Sequence, residues 1–352
     1  MNLILPIAGG STRFGSDKPK FLLTHPSGNT MLYEAVRGLG LDNFKYVYVV
    51  IREDIYKKYK LNSFLRDQFK DKRFKQIIIK ETTSQAHTVA QALRSIRSKD
   101  CFVVKDCDNF FKIDTSKLLG GNFICYGLLN EYQNVNAGNK SYISISENGK
   151  IENIVEKKVI SASFCAGAYA FENPGDFLKS FETLASHKVE GEVYLSDIVF
   201  NMLLTTNFEA VKVNQYLDWG TQNDWDKFRS SYATYFVDID GVLFKSSSRF
   251  TEPYWGTTGP LENNIKAINA LYDSGRAHII LTTARAALAK NATMSQLDKY
   301  GVRYHEVIFG LPHAKRVVVN DFSDSNKYKT AESINIRRDS DDLSSYLWKD
   351  SP

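Results

Sequence analysis

Short apolar runs alternate with stretches of helical periodicity along most of the chain. In the first two-thirds, we predict a strand at each short apolar run and a helix where apolar residues recur three and four positions apart. The predicted strands are Leu3–Ile7, Tyr46–Ile51, Gln76–Ile79 and Cys101–Val104, and the predicted helices are Met31–Leu39 and Val89–Ile96. Strands that alternate with helices favour an α/β fold with a mostly parallel sheet.

A polar passage, DKFRSSYAT, interrupts this alternation after Trp225, and a second series begins with YFVDI. In this series the predicted helices are Leu261–Tyr272 and Ala286–Tyr300, and the predicted strands are His278–Leu281, Val307–Phe309 and Val317–Val319. A chain of 352 residues is longer than one hydrophobic core usually reaches. We therefore expect two α/β domains, residues 1–230 and 231–352, with the boundary near Ser230.

Composition and charge narrow the class of protein. Hydrophobic residues make up 43% and charged residues 24% of the chain, which is typical of a globular protein. No apolar run is long enough to cross a bilayer, so we expect no membrane partner. The net charge of +5 is spread without a basic tract, which argues against nucleic acid and suits small anionic substrates. The four cysteines lack metal-type or redox spacing, which indicates a cytoplasmic protein.

The stretch LPIAGGSTRFGSDKPKFLL, near the start of the chain, carries the first candidate chemistry. Gly9 and Gly10 follow a predicted strand, where glycine lets the backbone approach a ligand and successive N–H groups can hold phosphate oxygens. Arg13 can bond two phosphate oxygens at once, and Lys20 supplies a compact charge. Taken alone, such a loop is a weak signal, since a solvated turn explains it equally well.

This stretch resembles the signature of sugar-nucleotide pyrophosphorylases and related nucleotidyltransferases, a glycine loop followed by Arg and Pro-Lys. Similar segments follow in the family's order: TTSQAHTVAQAL for the nucleobase loop, VVKDCDNFF for the strand ending in a metal-binding Asp, IENIVEKK, FCAGAYAF and YLDWGTQNDWDKF. Together they cover nearly all of residues 1–228. The resemblance implies a Rossmann-like nucleotidyltransferase domain with a mixed, mostly parallel sheet.

The resemblance also implies roles for individual residues. These are nucleotide binding by Ala8, Gly9, Gly10, Gln85 and Asp106, catalysis by Arg13 and Lys20, acceptor binding by Lys157 and Gly167, and Mg²⁺ binding by Asp108 and Asp218. A nucleoside triphosphate and a phosphorylated acceptor are both anionic, so the transfer needs charge neutralisation and alignment more than proton transfer.

Three alternatives stay open in this first domain. Asp106 could instead cap a strand end, and Lys158 could be the active member of its lysine pair. The loop from Ser84 to Thr88 has no glycine where the family's base loop is glycine-rich, so the nucleotide, CTP or another NTP, stays undecided.

A second motif, YFVDIDGVLF, places two carboxylates one residue apart at the end of an apolar run. Side chains two apart on an extended segment face the same way, so Asp238 and Asp240 could converge at the carboxyl end of the strand, where α/β sheets bind ligands. One could attack a phosphate while the other donates a proton.

The Asp-x-Asp-Gly pattern resembles the haloacid-dehalogenase phosphatase superfamily, which implies that Asp238, the first Asp, becomes phosphorylated and that Asp240, the second, acts as acid and base. The resemblance extends to IILTTAR, where Thr282 matches the phosphate-binding hydroxyl, and to VVVNDF, where Asp321 matches the last Mg²⁺ ligand beside Asp238 and Asp240. The family carries a lysine before the last strand, but this chain has Leu311 there. Lys315 could substitute if the loop folds back.

The segment between Phe244 and Gly259 is too short for a separate cap domain. We therefore expect a Rossmann-like phosphatase domain without a large cap, covered by the first domain or by a neighbouring subunit of a homo-oligomer.

The sequence as a whole predicts a bifunctional, Mg²⁺-dependent enzyme. The first domain would transfer a nucleotidyl group to a sugar or polyol phosphate, and the second would hydrolyse a phosphate ester, in the synthesis of capsule or surface polysaccharide precursors. Two alternatives remain. The second domain could bind ligand or serve a structural role without turnover, and the acceptor could be a non-sugar alcohol phosphate such as phosphocholine.

Overall fold

The computed structural model describes residues 1–9, 14, 18–70, 73–114, 116, 120–132, 135–187, 191–321 and 330–347. Contacts between residues divide the chain into two compact units, Met1–Trp225 and Asp226–Pro352. The division falls within the helix Gln222–Ser230, a few residues before the predicted boundary. In the described ranges no helix is both long enough and apolar enough to span a membrane.

The N-terminal unit is a mixed α/β structure. Its strands are β1 (Asn2–Pro6), β2 (Tyr46–Arg52), β3 (Phe74–Ile79), β4 (Phe102–Lys105), β5 (Asn109–Lys112), β6 (Phe123–Leu128), β7 (Ser141–Ile145), β8 (Ile151–Glu156), β9 (Ser163–Phe171), β10 (Glu209–Lys212) and β11 (Asn214–Asp218). Its helices are α1 (Met31–Arg37), α2 (Glu53–Lys58), α3 (Leu61–Gln68), α4 (Gln85–Ile96), α5 (Pro174–His187), α6 (Leu195–Met202) and α7 (Gln222–Ser230), the last of which continues into the second unit.

Within the described residues, nine of these strands form one sheet. Its main path runs β10-β6-β9-β4-β1-β2-β3, and β7 pairs with β8 and β9. Strands β4, β1, β2 and β3 are parallel, but β9 runs antiparallel to β4, β6 and β7. The predicted mixed, mostly parallel sheet is confirmed on this path, where β9 alone runs opposite to the other six strands.

Alternating side chains of β1 explain why the sheet is buried on both faces. Leu3 and Leu5 pack into one apolar cluster with α1, and Ile4 packs into a second cluster with α4, α5 and α6. Because successive side chains of a strand point to opposite faces, one apolar strand contributes to both layers. The carboxyl ends of β1 and β4 are thereby fixed side by side.

A short antiparallel ribbon, separate from the main sheet, joins β5 to β11. Asp218 pairs with Asn109, and Leu217 pairs with Phe110. Helix α1 packs against β5, where Gly38 follows the last helical residue and comes close to the backbone of Phe111. This ribbon brings the end of β11 to the loop after β4.

The C-terminal unit contains β12 (Ala233–Asp238), α8 (Glu262–Asp273), β13 (Ala277–Thr282), α9 (Lys290–Lys299), β14 (Glu306–Ile308) and α10 (Ser344–Leu347). The described part of this unit has a parallel sheet in the order β12-β13-β14 over its own apolar cluster. Val317–Val319 was predicted to be a strand and is not one: these residues are irregular and largely exposed. Valine favours strands only where a partner strand and a packed face are present.

Replacing Gly38 by alanine should destabilise the N-terminal unit by about 2 kcal/mol, as expected for an overpacked site. An added Cβ would lie 1.9 Å from the Phe111 carbonyl oxygen and 3.1 Å from the Phe110 ring. The free energy of unfolding from urea denaturation checks this. Gly138→Ala is the matched control, because its Cβ would meet nothing closer than 3.7 Å. Equal stabilities of the two variants would contradict the packing of α1 on β5.

Candidate active site

Two carboxylates from distant parts of the chain meet at the end of the β5–β11 ribbon. Asp108 lies in the loop between β4 and β5, and Asp218 is the last residue of β11. The Trp219 amide donates a hydrogen bond of 2.8 Å to the Asp108 carbonyl oxygen, which fixes the two segments together. A Cβ added to Gly220 would lie 3.2 Å from Asp218 Oδ1 and 3.8 Å from Asp108 Oδ2. Both carboxylates therefore border the same small space, which Gly220 leaves open.

Each of these carboxylates is held by a lysine. Lys20 Nζ lies 2.5 Å from Asp108 Oδ2, and Lys140 Nζ lies 2.8 Å from Asp218 Oδ2. Burial opposes the charge of Asp108, but the ion pair with Lys20, together with Lys140 and Lys105, outweighs it and lowers the pKa of Asp108 to about 2. Burial likewise opposes the charges of the two lysines, but their anionic and phenolic neighbours raise the pKa of each. The sequence did not single out Lys140.

A polar cavity of about 150 Å³ opens beside this pair of carboxylates. Its lining combines acidic, amide and hydroxyl groups, including Gln85, Asp106, Asn109, Lys140, Ser141, Glu156, Ser196 and Thr221. Such a lining suits a highly hydroxylated or charged molecule more than an apolar one.

Gln85 and Asp106, both predicted to bind the nucleotide, are bonded to each other at one side of the cavity. Gln85 Nε2 donates to Asp106 Oδ1 at 2.6 Å. Gln85 is the first residue of α4, which begins there because the Ser84 hydroxyl accepts a hydrogen bond from the His87 amide. Burial and then the nearby Asp108 raise the pKa of Asp106. This bond orients the side-chain amide of Gln85, so that its side-chain oxygen, Oε1, can accept a hydrogen bond from a ligand.

A buried lysine that the sequence did not single out supports the loop that carries Asp106 and Asp108. Lys105 Nζ donates to Asn109 Oδ1 at 2.5 Å and to the Asp106 carbonyl oxygen at 2.8 Å. Burial lowers the pKa of Lys105 to about 8, although the adjacent carboxylates oppose the shift. Gly167 has φ +84°, and a Cβ there would lie 2.5 Å from both Asn109 Nδ2 and Asp106 Oδ2. Gly167 is therefore required by close packing, whatever its role toward the acceptor.

The predicted acceptor-side lysine, Lys157, points at a tyrosine. Its Nζ donates to the Tyr194 hydroxyl at 3.0 Å and lies 4.5 Å from the centre of that ring. The preceding residue, Glu156, accepts hydrogen bonds from Ser141 and, at 2.7 Å, from Ser196. Glu156 borders the cavity, whereas Lys158, the alternative to Lys157, is exposed.

The residues at the Asp108–Asp218 pair fit the predicted Mg²⁺. Mg²⁺ prefers oxygen ligands and usually binds one or two carboxylates together with substrate phosphates and water. In the described ranges, no group of three or more His, Cys, Asp or Glu side chains could hold a metal ion, so an ion here would complete its ligands from substrate or water. Lys20 and Lys140 supply positive charge where such an ion would place it.

The glycine loop is described only in part. Ala8 is buried at the end of the first strand, and Gly9 is exposed with open space beside its Cα. Gly10 and Arg13 lie outside the described residues.

In the C-terminal unit, Asp238 and Thr282 lie side by side as the last residues of the paired strands β12 and β13. Burial and the neighbouring Asp240 raise the pKa of Asp238, and Arg316 opposes the shift from 3.3 Å. The predicted cation, Lys315, is exposed. The cation that contacts Asp238 is thus the next residue, Arg316, and not the predicted Lys315.

Asp240 is held by a buried arginine, which the sequence did not single out. Arg285 Nε and Nη2 each donate to one Asp240 oxygen at 2.8 Å. Arg285 is fully buried, and its Nη1 is bonded to Thr293 and Gln296. The Ser247 hydroxyl donates to Asp240 at 2.6 Å. Both oxygens of this carboxylate are therefore engaged within the unit.

The three carboxylates predicted to share a second Mg²⁺ ion, Asp238, Asp240 and Asp321, are not assembled into a three-acid set in the described part of the chain. Asp321 is exposed and follows Val317–Val319, which forms no strand. The physical reason is that the segment before Asp321 forms no strand that would carry it to the end of β12, and that Arg285 bonds both oxygens of Asp240.

Solved structures share the mixed α/β fold and central sheet of about two-thirds of the chain. This chain matches a nucleoside-diphosphate-sugar pyrophosphorylase from Vibrio cholerae RC9 with a TM-score of 0.55 and 19% identity, over 64% of this chain and 98% of that one. It also matches an inositol-1-phosphate CTP transferase from T. maritima with a TM-score of 0.51 and 13% identity, over 63% of this chain and 90% of that one. No family model and no curated protein matches the chain. About two-thirds of the chain thus shares the fold of these solved nucleotidyltransferases, and the phosphatase-like fold of the second unit stays a prediction.

Replacing Arg285 by methionine should destabilise the C-terminal unit by about 3 kcal/mol, because it leaves Asp240 without its partner in a largely buried place. The double variant Arg285→Met with Asp240→Asn should recover part of this loss. The free energies of unfolding of the variants measure the coupling. Arg249→Met, at an exposed position, is the control. With Asp240→Asn alone as the third variant, a double-variant loss equal to the sum of the two single losses would show that the pair is not coupled.

Proposed function

We propose that the N-terminal unit transfers a nucleotidyl group from a nucleoside triphosphate to a small phosphorylated acceptor and releases pyrophosphate. The observation that carries this proposal is the convergence of Asp108 and Asp218 on one polar cavity, each with a lysine at its oxygen. The fold shared with solved nucleotidyltransferases supports it.

The proposed reaction needs no proton transfer. An oxygen of the acceptor phosphate, already ionised at neutral pH, attacks the α-phosphorus and forms a new P–O bond. The bond from the α-phosphorus to the oxygen that bridges it to the β-phosphorus breaks, and pyrophosphate leaves with that electron pair. The task of the site is therefore to gather and neutralise anionic groups and to align them.

The described residues supply these functions in the proposal. Lys20 contributes positive charge toward the reacting phosphates, and the Gln85 carbonyl oxygen accepts a hydrogen bond from the base. Asp108 and Asp218 would hold Mg²⁺, which, when bound, neutralises phosphate charge and fixes the orientation of the phosphates. Arg13 keeps its predicted role at the pyrophosphate.

We propose a sugar or polyol phosphate as the acceptor, for the synthesis of a capsule or surface polysaccharide precursor. Hydroxyl, amide and carboxylate groups line the cavity, and these can bond several hydroxyls of one molecule. Phosphocholine is the weaker alternative, because a quaternary ammonium prefers aromatic faces and Lys157 already lies over the Tyr194 ring.

The full chain should release pyrophosphate when Mg²⁺, one of the four NTPs and a suitable sugar or polyol phosphate are supplied together. Asp108→Asn and Asp218→Asn should each lower the rate by about 100-fold or more, the usual cost of losing an electrostatic group aimed at the reacting centre. Coupled detection of pyrophosphate across a panel of acceptors measures this.

Asp224→Asn is the matched control, because Asp224 borders the same cavity but is bonded to the backbone and hydroxyl of Thr221. We expect it to retain most activity. Full activity of the Asp108 and Asp218 variants, under conditions where the unchanged chain is active, would contradict the proposal.

For the C-terminal unit, we favour the non-catalytic alternative over the predicted phosphomonoesterase. A general acid must carry a proton and release it to the leaving group. The two Arg285 bonds engage both oxygens of Asp240, and the remaining contacts of Arg285 hold it in place. These contacts support a ligand-binding or structural role.

Phosphate release from p-nitrophenyl phosphate and from a panel of sugar phosphates tests this second proposal. We expect the unchanged chain to release no more phosphate than the Asp238→Asn variant, because Asp240, the predicted proton donor, is bonded to Arg285. Mg²⁺-dependent release that disappears in Asp238→Asn would instead establish the phosphomonoesterase.

A further inference from the structure

We infer that Lys140 binds the phosphate of the acceptor, and that it becomes available for this when Asp218 binds a divalent cation. The inference rests on the proposed nucleotidyl transfer and assigns a residue that no motif in the sequence singles out. It makes Lys140, and not the predicted Lys157, the main cation on the acceptor side.

The position of Lys140 carries the first step. Lys140 directly precedes β7, and its side chain is only 13% exposed. Among the described residues that line the cavity, it is the one lysine. Its Nζ contacts Asp218 Oδ2 at 2.8 Å and donates to the Tyr216 hydroxyl at 2.7 Å. A buried ammonium therefore borders the substrate cavity and has an anchor besides the carboxylate.

Competition for one carboxylate carries the second step. Asp218 Oδ1 accepts the Gly220 amide at 3.1 Å, and Oδ2 is occupied by Lys140. A divalent ion bound to Asp218 would take the place of the ammonium, since two cations repel strongly at contact distance in a partly buried site. The Tyr216 hydroxyl can still accept a hydrogen bond from the displaced ammonium, which then faces the cavity with its ion pair to Asp218 broken.

The surroundings of Lys140 decide which substrate it meets. The next residue, Ser141, donates to Glu156, which also accepts from Ser196. This hydroxyl and carboxylate network suits a hydroxylated acceptor, whereas the Gln85–Asp106 pair on α4 and the β4 loop is assigned to the base. A phosphate ester of a sugar or polyol would place its anionic group against Lys140 and its hydroxyls near Glu156.

Lys157 is less well placed for this role. Its ammonium is engaged by the Tyr194 hydroxyl and ring, its side chain is 37% exposed, and it does not line the described cavity. An exposed lysine is screened by water and contributes less to phosphate binding than a buried one.

The test is a pair of binding measurements on the full chain with Lys140→Met, in which the two effects have opposite signs. Without substrate, affinity for Mn²⁺ should rise by about threefold or more, because the competing ammonium is gone. With saturating Mg²⁺, affinity for inorganic phosphate should fall by about tenfold, because a charged hydrogen bond is lost. Electron paramagnetic resonance of free Mn²⁺ and isothermal titration with phosphate give these values.

Two further variants make the result specific. Lys140→Arg keeps the charge and should retain phosphate binding to within about threefold. Lys45→Met removes an exposed lysine paired with Asp100 and should change neither affinity. An unchanged or weaker Mn²⁺ affinity in Lys140→Met, or unchanged phosphate affinity, would overturn the inference.

Pyrophosphate release by the unchanged chain tests the proposed function separately. Lys140→Met could raise the affinity for Mn²⁺ and lower the affinity for phosphate while no NTP yields pyrophosphate. That result would support the competition between Lys140 and a divalent ion for Asp218 and would contradict the proposed nucleotidyl transfer.

Discussion

The antiparallel pairing of β5 with β11 is the constraint on which the rest of the site depends. It joins two segments far apart in sequence by setting Asp218 opposite Asn109 and tying the Trp219 amide to the Asp108 carbonyl. Backbone hydrogen bonds thus hold the two segments that carry the acids side by side, so both carboxylates face the same space. The proposed catalysis depends on this pair of acids.

Bringing several carboxylates into one cavity is electrostatically costly unless cations accompany them. The structure meets this requirement with three lysines of different burial: Lys20 on Asp108, Lys140 on Asp218, and Lys105 beneath the loop. The same charges that stabilise the protein without substrate are those that a bound metal ion and substrate phosphates would rearrange. The charges of the site would therefore be compensated both without substrate, by the lysines, and with substrate, by the metal ion and the phosphates.

Much of the fold and of the candidate site could be predicted from the sequence, because the residues concerned stand in short patterns that follow strand and helix periodicity. Asp108 and Asp218 stand beside strands within short recognisable segments, and apolar runs revealed seven of the fourteen strands in the described residues. Lys140 and Arg285 could not be found, because a lone lysine in a polar loop and an arginine after a strand look like solvated residues. Val317–Val319 has strand propensity but no partner, and a pattern of residues does not report pairing. The sequence did not show that β9 is the strand that runs antiparallel, because alternation is the same for either orientation.

The proposed chemistry requires that Asp108 and Asp218 share one divalent ion. A double-mutant cycle on Mn²⁺ affinity, with Asp108→Asn, Asp218→Asn and both together, measures whether they do. If one ion contacts both carboxylates, the two losses should be strongly non-additive, with either single variant removing most of the binding. Additive losses, or tight Mn²⁺ binding that survives in either single variant, would show that Asp108 and Asp218 do not share one ion.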